Sequence, residues 1–427
     1  MKKSSAFLFL ISLVSNSADA KGLLEYRHYQ RINTPSTESA QDNTVGVQWE
    51  DGGHWRKFQT KAVGAAEINT KNSSLMISAS EFYVSYIHSR TELDLGRKIL
   101  PWNEQEGFWG LGEINPMRGF SWLETEREGI MGLHFRRKQW LEVGGFVSPI
   151  NIPQINPSFT NKNGKVEGLN EWAKEPPRIV RFRNTDIPVY YEVEYPKVEE
   201  VIFHPAAGLD IGKRWDNARV VAYGAYKPEN QIRVNATGFY EQTATVERAY
   251  VRTRPFIAYH QIIGGGTEVW NEHWNGKVFY DTIRPIPRED NKFVFESLRI
   301  EPTYEPEHYL TASVGRKSDF ISVELNALVR TKGKEDNTTA FGKIPKWERA
   351  IGMEAKWSMS DRFNLRFMGR RDIKKADVTL HTEVEWRIKK HLWVQLGLEM
   401  IDSPQDTSFW SSYRTNDTVT TSLGWLF

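Results

Sequence analysis

Two rows of arginines carry the most chemistry in this sequence. Arg362, Arg366 and Arg370 recur at a spacing that puts all three on one side of an extended strand, and Arg248, Arg252 and Arg254 do the same around Tyr250. Acidic residues share that patterning, with Glu383 and Glu385 on one face of a segment and Glu399 on the next. Rows of Arg or Lys lining a pore favour anions, whereas arginines paired with Glu354, Glu383, Glu385 and Glu399 on adjacent strands would form a neutral, rigid ladder. Both readings stay open in the sequence. A catalytic reading has less to stand on. His381 and Glu383 could serve as a base and its orienter, yet the chain has no His-Glu-x-x-His pair and no Gly-x-Ser-x-Gly elbow. No enzyme activity, metal site or cofactor is expected.

The elements that must hold these rows are strands. Val378, Leu380, Val384, Trp386 and Ile388 oppose Thr379, His381, Glu383, Glu385, Arg387 and Lys389; Leu392, Val394, Leu396, Leu398 and Met400 oppose Trp393, Gln395, Gly397 and Glu399. The polar faces are too charged for a sandwich core, so the apolar face must meet lipid and the polar face a lumen. Similar alternation covers 351–357, 363–370, 321–329, 310–314 and 131–147. The long polar connections 330–345 and 402–416 contrast with the short ones at Ser360-Asp361 and Lys389 to His391, as expected of a barrel with short periplasmic turns and long external loops. At roughly 22 to 26 residues per strand plus connection, the chain after Ala20 supplies about 16 to 18 strands. The fold expected is all-β, a single transmembrane antiparallel up-and-down barrel occupying 21–427.

Composition agrees. The 427 residues include no cysteine, so no disulfide framework is possible, and the mean hydropathy of −0.55 leaves no run for a spanning helix. The load of 16 Trp, 16 Tyr and 22 Phe suits aromatic girdles at two membrane interfaces, to which Trp270, Trp274, Phe279 and Tyr280 would belong. Stacking on sugar rings is the other use of such aromatics. At the N-terminus, Lys2 and Lys3, the apolar run Ala6 to Val14 and Ala18-Asp19-Ala20 read as a signal peptide over 1–20. Gly264-Gly265-Gly266 lacks the context of a phosphate loop, and Asn337-Thr338-Thr339 is an incidental glycosylation pattern. Nothing points to nucleic acid.

One stretch resists the barrel pattern. Between Ser148 and Pro196 stand seven prolines, which remove ladder donors, so 148–196 is expected to be a long external loop or an inward-folded plug.

Two resemblances follow from local motifs. The closing segment Asp417 to Phe427, with Val419, Thr421, Leu423, Trp425 and Phe427 on one face, resembles the signal read by the bacterial barrel assembly machinery, with Leu423, Trp425 and Phe427 its apolar core. Such a strand should close the barrel against Gly22 to Arg31. The run Leu95-Gly96-Arg97-Lys98, Trp102, Trp109-Gly110-Leu111-Gly112 and Asn115-Pro116 resembles barrel proteins of the alginate-export type and related porin-like families, over about a tenth of the chain. That resemblance implies an outer-membrane barrel and, for alginate-export members, an anionic polysaccharide in an arginine-lined lumen. The nearly balanced formal charge of +2 departs from it. The expected function is passive, porin-like passage of small polar solutes or an anionic oligo- or polysaccharide across the bacterial outer membrane. The alternative is a non-conducting structural or surface-interaction barrel working through its external loops.

Overall fold

The computed structural model describes residues 21–32, 41–71, 74–119, 121–153, 159–169, 172–173, 175–182, 184–243, 247–287, 293–295, 298–300, 305–332 and 344–427. The expected signal peptide and the Asn337 pattern lie outside the described residues.

Eighteen strands form one wall: β1 (Lys21–Arg31), β2 (Gln41–Trp55), β3 (Phe58–Asn69), β4 (Leu75–His88), β5 (Thr91–Lys98), β6 (Ile130–Lys138), β7 (Glu142–Ser148), β8 (Ala206–Arg214) and β9 (Ala218–Pro228), continuing as β10 (Tyr259–Trp270), β11 (Trp274–Pro285), β12 (Glu307–Lys317), β13 (Ile321–Lys332), β14 (Arg349–Ser360), β15 (Phe363–Asp372), β16 (Val378–Lys389), β17 (Leu392–Asp402) and β18 (Thr418–Leu426). Each pairs antiparallel with its neighbours in chain order, and β18 closes on β1 from Leu23↔Leu426 to Arg31↔Thr418. Gly22 and Phe427 finish this seam by exchanging both backbone hydrogen bonds at 2.9 Å. Closure is what a strand exposed to lipid requires, because an open edge would leave unpaired N–H and C=O groups in hydrocarbon.

The alternation read from the sequence maps onto the two faces. Leu95, Ile263, Leu325, Leu396 and Leu423 project outward and exposed, whereas Asp94, Thr311, His381, Glu399 and Ser422 are buried inside. At one end every pair of strands is joined by two or three residues, from 56–57 to 390–391. Exposed aromatics collect there: Trp55, Phe58, Trp140, Trp215, Trp274 and Trp425. Arg56, Lys213 and Arg316 lie over the rings of Trp55, Trp215 and Trp274 at 5.3, 5.0 and 5.3 Å. Such pairs suit an interface where an apolar ring and a cation meet water.

The other end carries the long connections. Three of them build a separate six-stranded sheet from Ile179–Phe182, Thr185–Val193, Glu247–Phe256, Arg233–Gln242, Phe293–Phe295 and Leu298–Ile300. Its own apolar core includes Ile187, Val189, Ala249 and Val251. This corrects the placement of Arg248, Arg252 and Arg254. They lie on a strand of this sheet, not on the barrel wall, and pair with Glu241, Glu192 and Glu200 at 2.6, 2.7 and 3.3 Å. The alternation was real, but a strand packed on one face shows the same period whether lipid or a small core covers it. The proline-rich stretch contributes strands to this sheet and sends Trp172 into a buried aromatic cluster.

Candidate functional site: a lumen narrowed by residues 99–129

The connection between β5 and β6 turns inward. Gly96 makes the departure possible: its φ is +136° and a Cβ there would stand 2.1 Å from the Phe82 carbonyl oxygen, a space only glycine leaves open. Arg97, buried beside it, then reaches across the base of the connection to Gly129 O, Ala79 O and Glu128 Oε2 at 2.9, 2.8 and 2.9 Å. Asn115 closes the neck by accepting from Leu100 N and donating to Leu100 O. The Gly-Arg and Asn-Pro elements noted in the sequence are thus the clamp of an inward-folded segment.

Inside this clamp lies the short helix α1 (Gln105–Trp109), terminated by Gly110 in the left-handed region at φ +59°. Glu106 stabilises the turn after it by accepting backbone hydrogen bonds from Glu113, Ile114 and Asn115. Burial pushes the Glu106 carboxyl up to about 7 in spite of those donors.

The segment is tied to the wall around much of its circumference. Trp102, fully buried against Phe146 and Tyr223, donates Nε1–H to Asp210 on β8 at 2.9 Å. Asn103 donates to Asp281 on β11 at 2.7 Å, and Gln105 to Ser313 and Glu324 on β12 and β13 at 2.9 and 3.1 Å. Lys277 on β11 pairs with Glu104 at 2.6 Å. Toward the long-connection end, Trp109, Trp122, Trp172, Trp347 and Trp410 pack into one cluster, drawing side chains from four connections. Trp347 Nε1–H donates to Trp109 O at 3.0 Å.

Between this segment and the wall formed by β1 to β4, β11 and β13 to β16 remains a cavity of about 1010 Å³. Ten acidic side chains line it, including Glu50, Glu81, Glu126 and Glu324, against eight basic ones, including Lys61, Arg118, Arg127 and Lys277.

The expected lumen residues divide. Arg366, Arg370 and Glu383 line this cavity. Arg366 pairs with Glu354 at 2.9 Å and Glu383 at 3.7 Å, as the ladder reading expected. Arg370 is buried, lies over the Phe108 ring at 5.1 Å, and has no carboxylate partner among the described residues. Arg362 is exposed in the turn between β14 and β15 and does not join the row, because strand alternation stops where the chain turns. Glu385 is half-buried and accepts from Asn364 and Arg387 at 3.2 and 2.8 Å. Glu399 is buried and accepts from Ser121 of the inward segment at 3.0 Å. Of the four aromatics from 270 to 280, Phe279 faces inward, fully buried, while Trp274 and Tyr280 face out.

His381 gathers more charge than its sequence neighbours suggested. Glu124 and Glu383 stand 3.1 and 3.3 Å from Nε2, and Glu399 stands 3.5 Å from Nδ1. Glu124 comes from the inward segment and also accepts from Arg27 on β1 at 3.1 Å. Burial would raise the Glu124 carboxyl, but the close approach of the His381 imidazole and the charge of Arg27 outweigh it and hold the group well below the carboxylate range. Sequence spacing cannot show this cluster, since Glu124 reaches it only through the fold of the connection. In the sequence only the pair His381 and Glu383 marks it.

No known family model matches this sequence, and no curated protein matches it. Solved structures resemble it over nearly its whole length. OccAB3 of Acinetobacter baumannii is 11% identical, with 96% of this chain and 100% of that chain covered and a TM-score of 0.46. A BenF-like porin from Pseudomonas fluorescens is 10% identical, with 96% and 98% covered and a TM-score of 0.47. OccK11 (OpdR) of Pseudomonas aeruginosa is 8% identical, with 96% and 95% covered and a TM-score of 0.48.

Proposed function

We propose that this protein is an outer-membrane, porin-like channel that passes small polar solutes by passive diffusion, with residues 99–129 setting the width and charge of the pathway. The observation that carries this reading is the combination of a closed eighteen-stranded wall, apolar outside, with a charged cavity of about 1010 Å³ inside it. A structural barrel without a pathway has no need of so many charged groups around open space, since each costs desolvation unless water or a partner meets it.

The lining also bears on the solute. Ten acidic groups against eight basic ones give no excess of positive charge to hold an anionic polysaccharide, so the alginate-export likeness does not extend to its substrate. Uncharged or weakly cationic small solutes fit better. Lipid contacts the outward apolar band, and the assembly machinery reads the β18 face with Leu423, Trp425 and Phe427. No catalytic step is assigned to the lumen.

A second reading draws on the six-stranded sheet, a folded body with its own core at the long-connection end. In that reading the barrel is a closed anchor and the sheet is a surface for adhesion. Planar-bilayer recording separates the two. Stepwise ionic current supports the channel, and its absence from correctly folded protein supports the anchor.

A further inference from the structure

We infer that His381, Glu124 and Glu383 form a site for a divalent first-row transition metal ion, which would lock the inward segment to the barrel wall. The nitrogen and two oxygens lie on different parts of the fold, one carboxylate on the inward segment and the other two groups on β16, yet all fall within 4.8 Å of one another.

The spacing of each carboxylate oxygen from the imidazole nitrogen is that of ligands around one ion. With metal–ligand bonds of about 2.1 Å, two donor atoms stand about 3.0 Å apart at a right angle and about 3.4 Å apart at a tetrahedral angle. The distances from His381 Nε2 to the Glu124 and Glu383 oxygens, 3.1 and 3.3 Å, fall between those values. His381 is 3% exposed, and neither ring nitrogen makes an aligned hydrogen bond among the described residues. A buried imidazole so placed, with carboxylate oxygens close to its nitrogens but off the hydrogen-bonding direction, has polar atoms that an ion would satisfy.

The surroundings match what metal ligands need. Glu399 stands on the Nδ1 side of the ring at 3.5 Å, close enough for a small rotation of the ring to let it accept Nδ1–H and leave the Nε2 lone pair for the ion. Ser121 holds Glu399 in turn at 3.0 Å. The two ligating carboxylates are themselves oriented, Glu124 by Arg27 at 3.1 Å and Glu383 by Gln395 at 2.6 Å. Glu124 and Glu383 also line the cavity, so an ion reaches the site from the lumen and water fills its remaining positions. One imidazole with two carboxylates suits zinc or cobalt better than the harder calcium. This inference does not depend on the channel reading, because binding is measured without current.

The test uses the full chain, purified and refolded in detergent, titrated with Co²⁺ and followed by its visible absorption, with Zn²⁺ as competitor. The expected result is one equivalent per chain, displaced by Zn²⁺. His381→Gln should abolish it, and Glu399→Gln, a positioning change, should weaken it by about 10- to 100-fold. Heat-modifiable gel migration reports whether each variant is folded; if His381→Gln does not fold, Glu383→Gln is expected to show the same loss. No saturable binding to the wild type, or binding that survives either ligand substitution, overturns the inference and leaves the cluster a set of ion pairs. A second readout is mechanical: Zn²⁺ at ten times its dissociation constant should slow release of the inward segment about tenfold. An unchanged release rate would show that any bound ion does not bridge segment and wall.

Discussion

Trp102 is the place to test whether residues 99–129 are held against the wall or merely lie near it. Its indole is fully buried, stacks on Tyr223 with centroids 5.0 Å apart, and donates to Asp210. Replacing a buried Trp by Ala costs about 3–5 kcal/mol, and losing a hydrogen bond to a charged group about 1.5–3 kcal/mol. The second figure overlaps the first, and Asp210 keeps Arg136 at 3.5 Å, so about 4 kcal/mol is a fair estimate for Trp102→Ala. The barrel ladder does not pass through Trp102, so the loss should fall on local release of the segment and not on unfolding of the wall. Each 1.4 kcal/mol is tenfold in an equilibrium, which makes the released population about a thousandfold larger. Trypsin can reach Arg118 and Arg127 only in that released state, so the cleavage rate should rise by the same order where closing outpaces cutting. Single-channel current should become noisier and shift to larger steps in parallel. Trp140→Ala, at a turn where the ring is 74% exposed, is the control and should change neither. If Trp102→Ala leaves cleavage and current at wild-type values, the segment is not anchored as described.

Three further outcomes follow from individual side chains. Glu106 has a folded pKa of about 7 against an ordinary 4.5, so between those values the folded state holds a proton that the unfolded chain lacks. Its contribution is complete below pH 4.5 and is lost as pH rises through 7, by about 3 kcal/mol. Release of the inward segment, read as proteolysis within it after correction for the protease's own pH profile, should therefore rise between pH 5 and 8, and Glu106→Gln should flatten that rise; an unchanged slope would exclude Glu106 as its source. Replacing Arg366 and Arg370 together with Gln should shift the reversal potential toward cation preference, whereas Arg362→Gln should not move it, and equal effects from both would contradict their different placements. Phe427→Ala keeps the backbone bonds to Gly22, so refolding in detergent should persist while insertion into outer membranes falls; normal insertion would remove the assembly role of that face.

Much of the wall was legible because a barrel strand advertises itself by strict alternation. The segments 378–389 and 392–402 appear with the faces their side chains dictate, and the closing pair of β18 with β1 follows from the need to leave no edge in lipid. The same rule could not tell Glu247–Phe256 from a wall strand, since Ala249 and Val251 point to a covered face in either setting. The inward segment was harder. Its glycines, tryptophans and Asn-Pro turn are visible as irregularity, while the proline count points to 148–196 as the loop or plug. What makes 99–129 turn inward is a set of long-range partners, such as Asn103 with Asp281 and Gln105 with Ser313, which no local pattern encodes. The His381 cluster is half visible, as the pair His381 and Glu383, because Glu124 joins it only through the fold of the inward segment.

The most direct measurement is conductance of the purified, refolded protein in a planar bilayer, compared with a variant in which 104–127 is replaced by a short Gly-Ser linker. A channel narrowed by this segment predicts stable stepwise current from the wild type and markedly larger steps from the variant. A wild type without current, or a variant whose steps match it, would contradict the account.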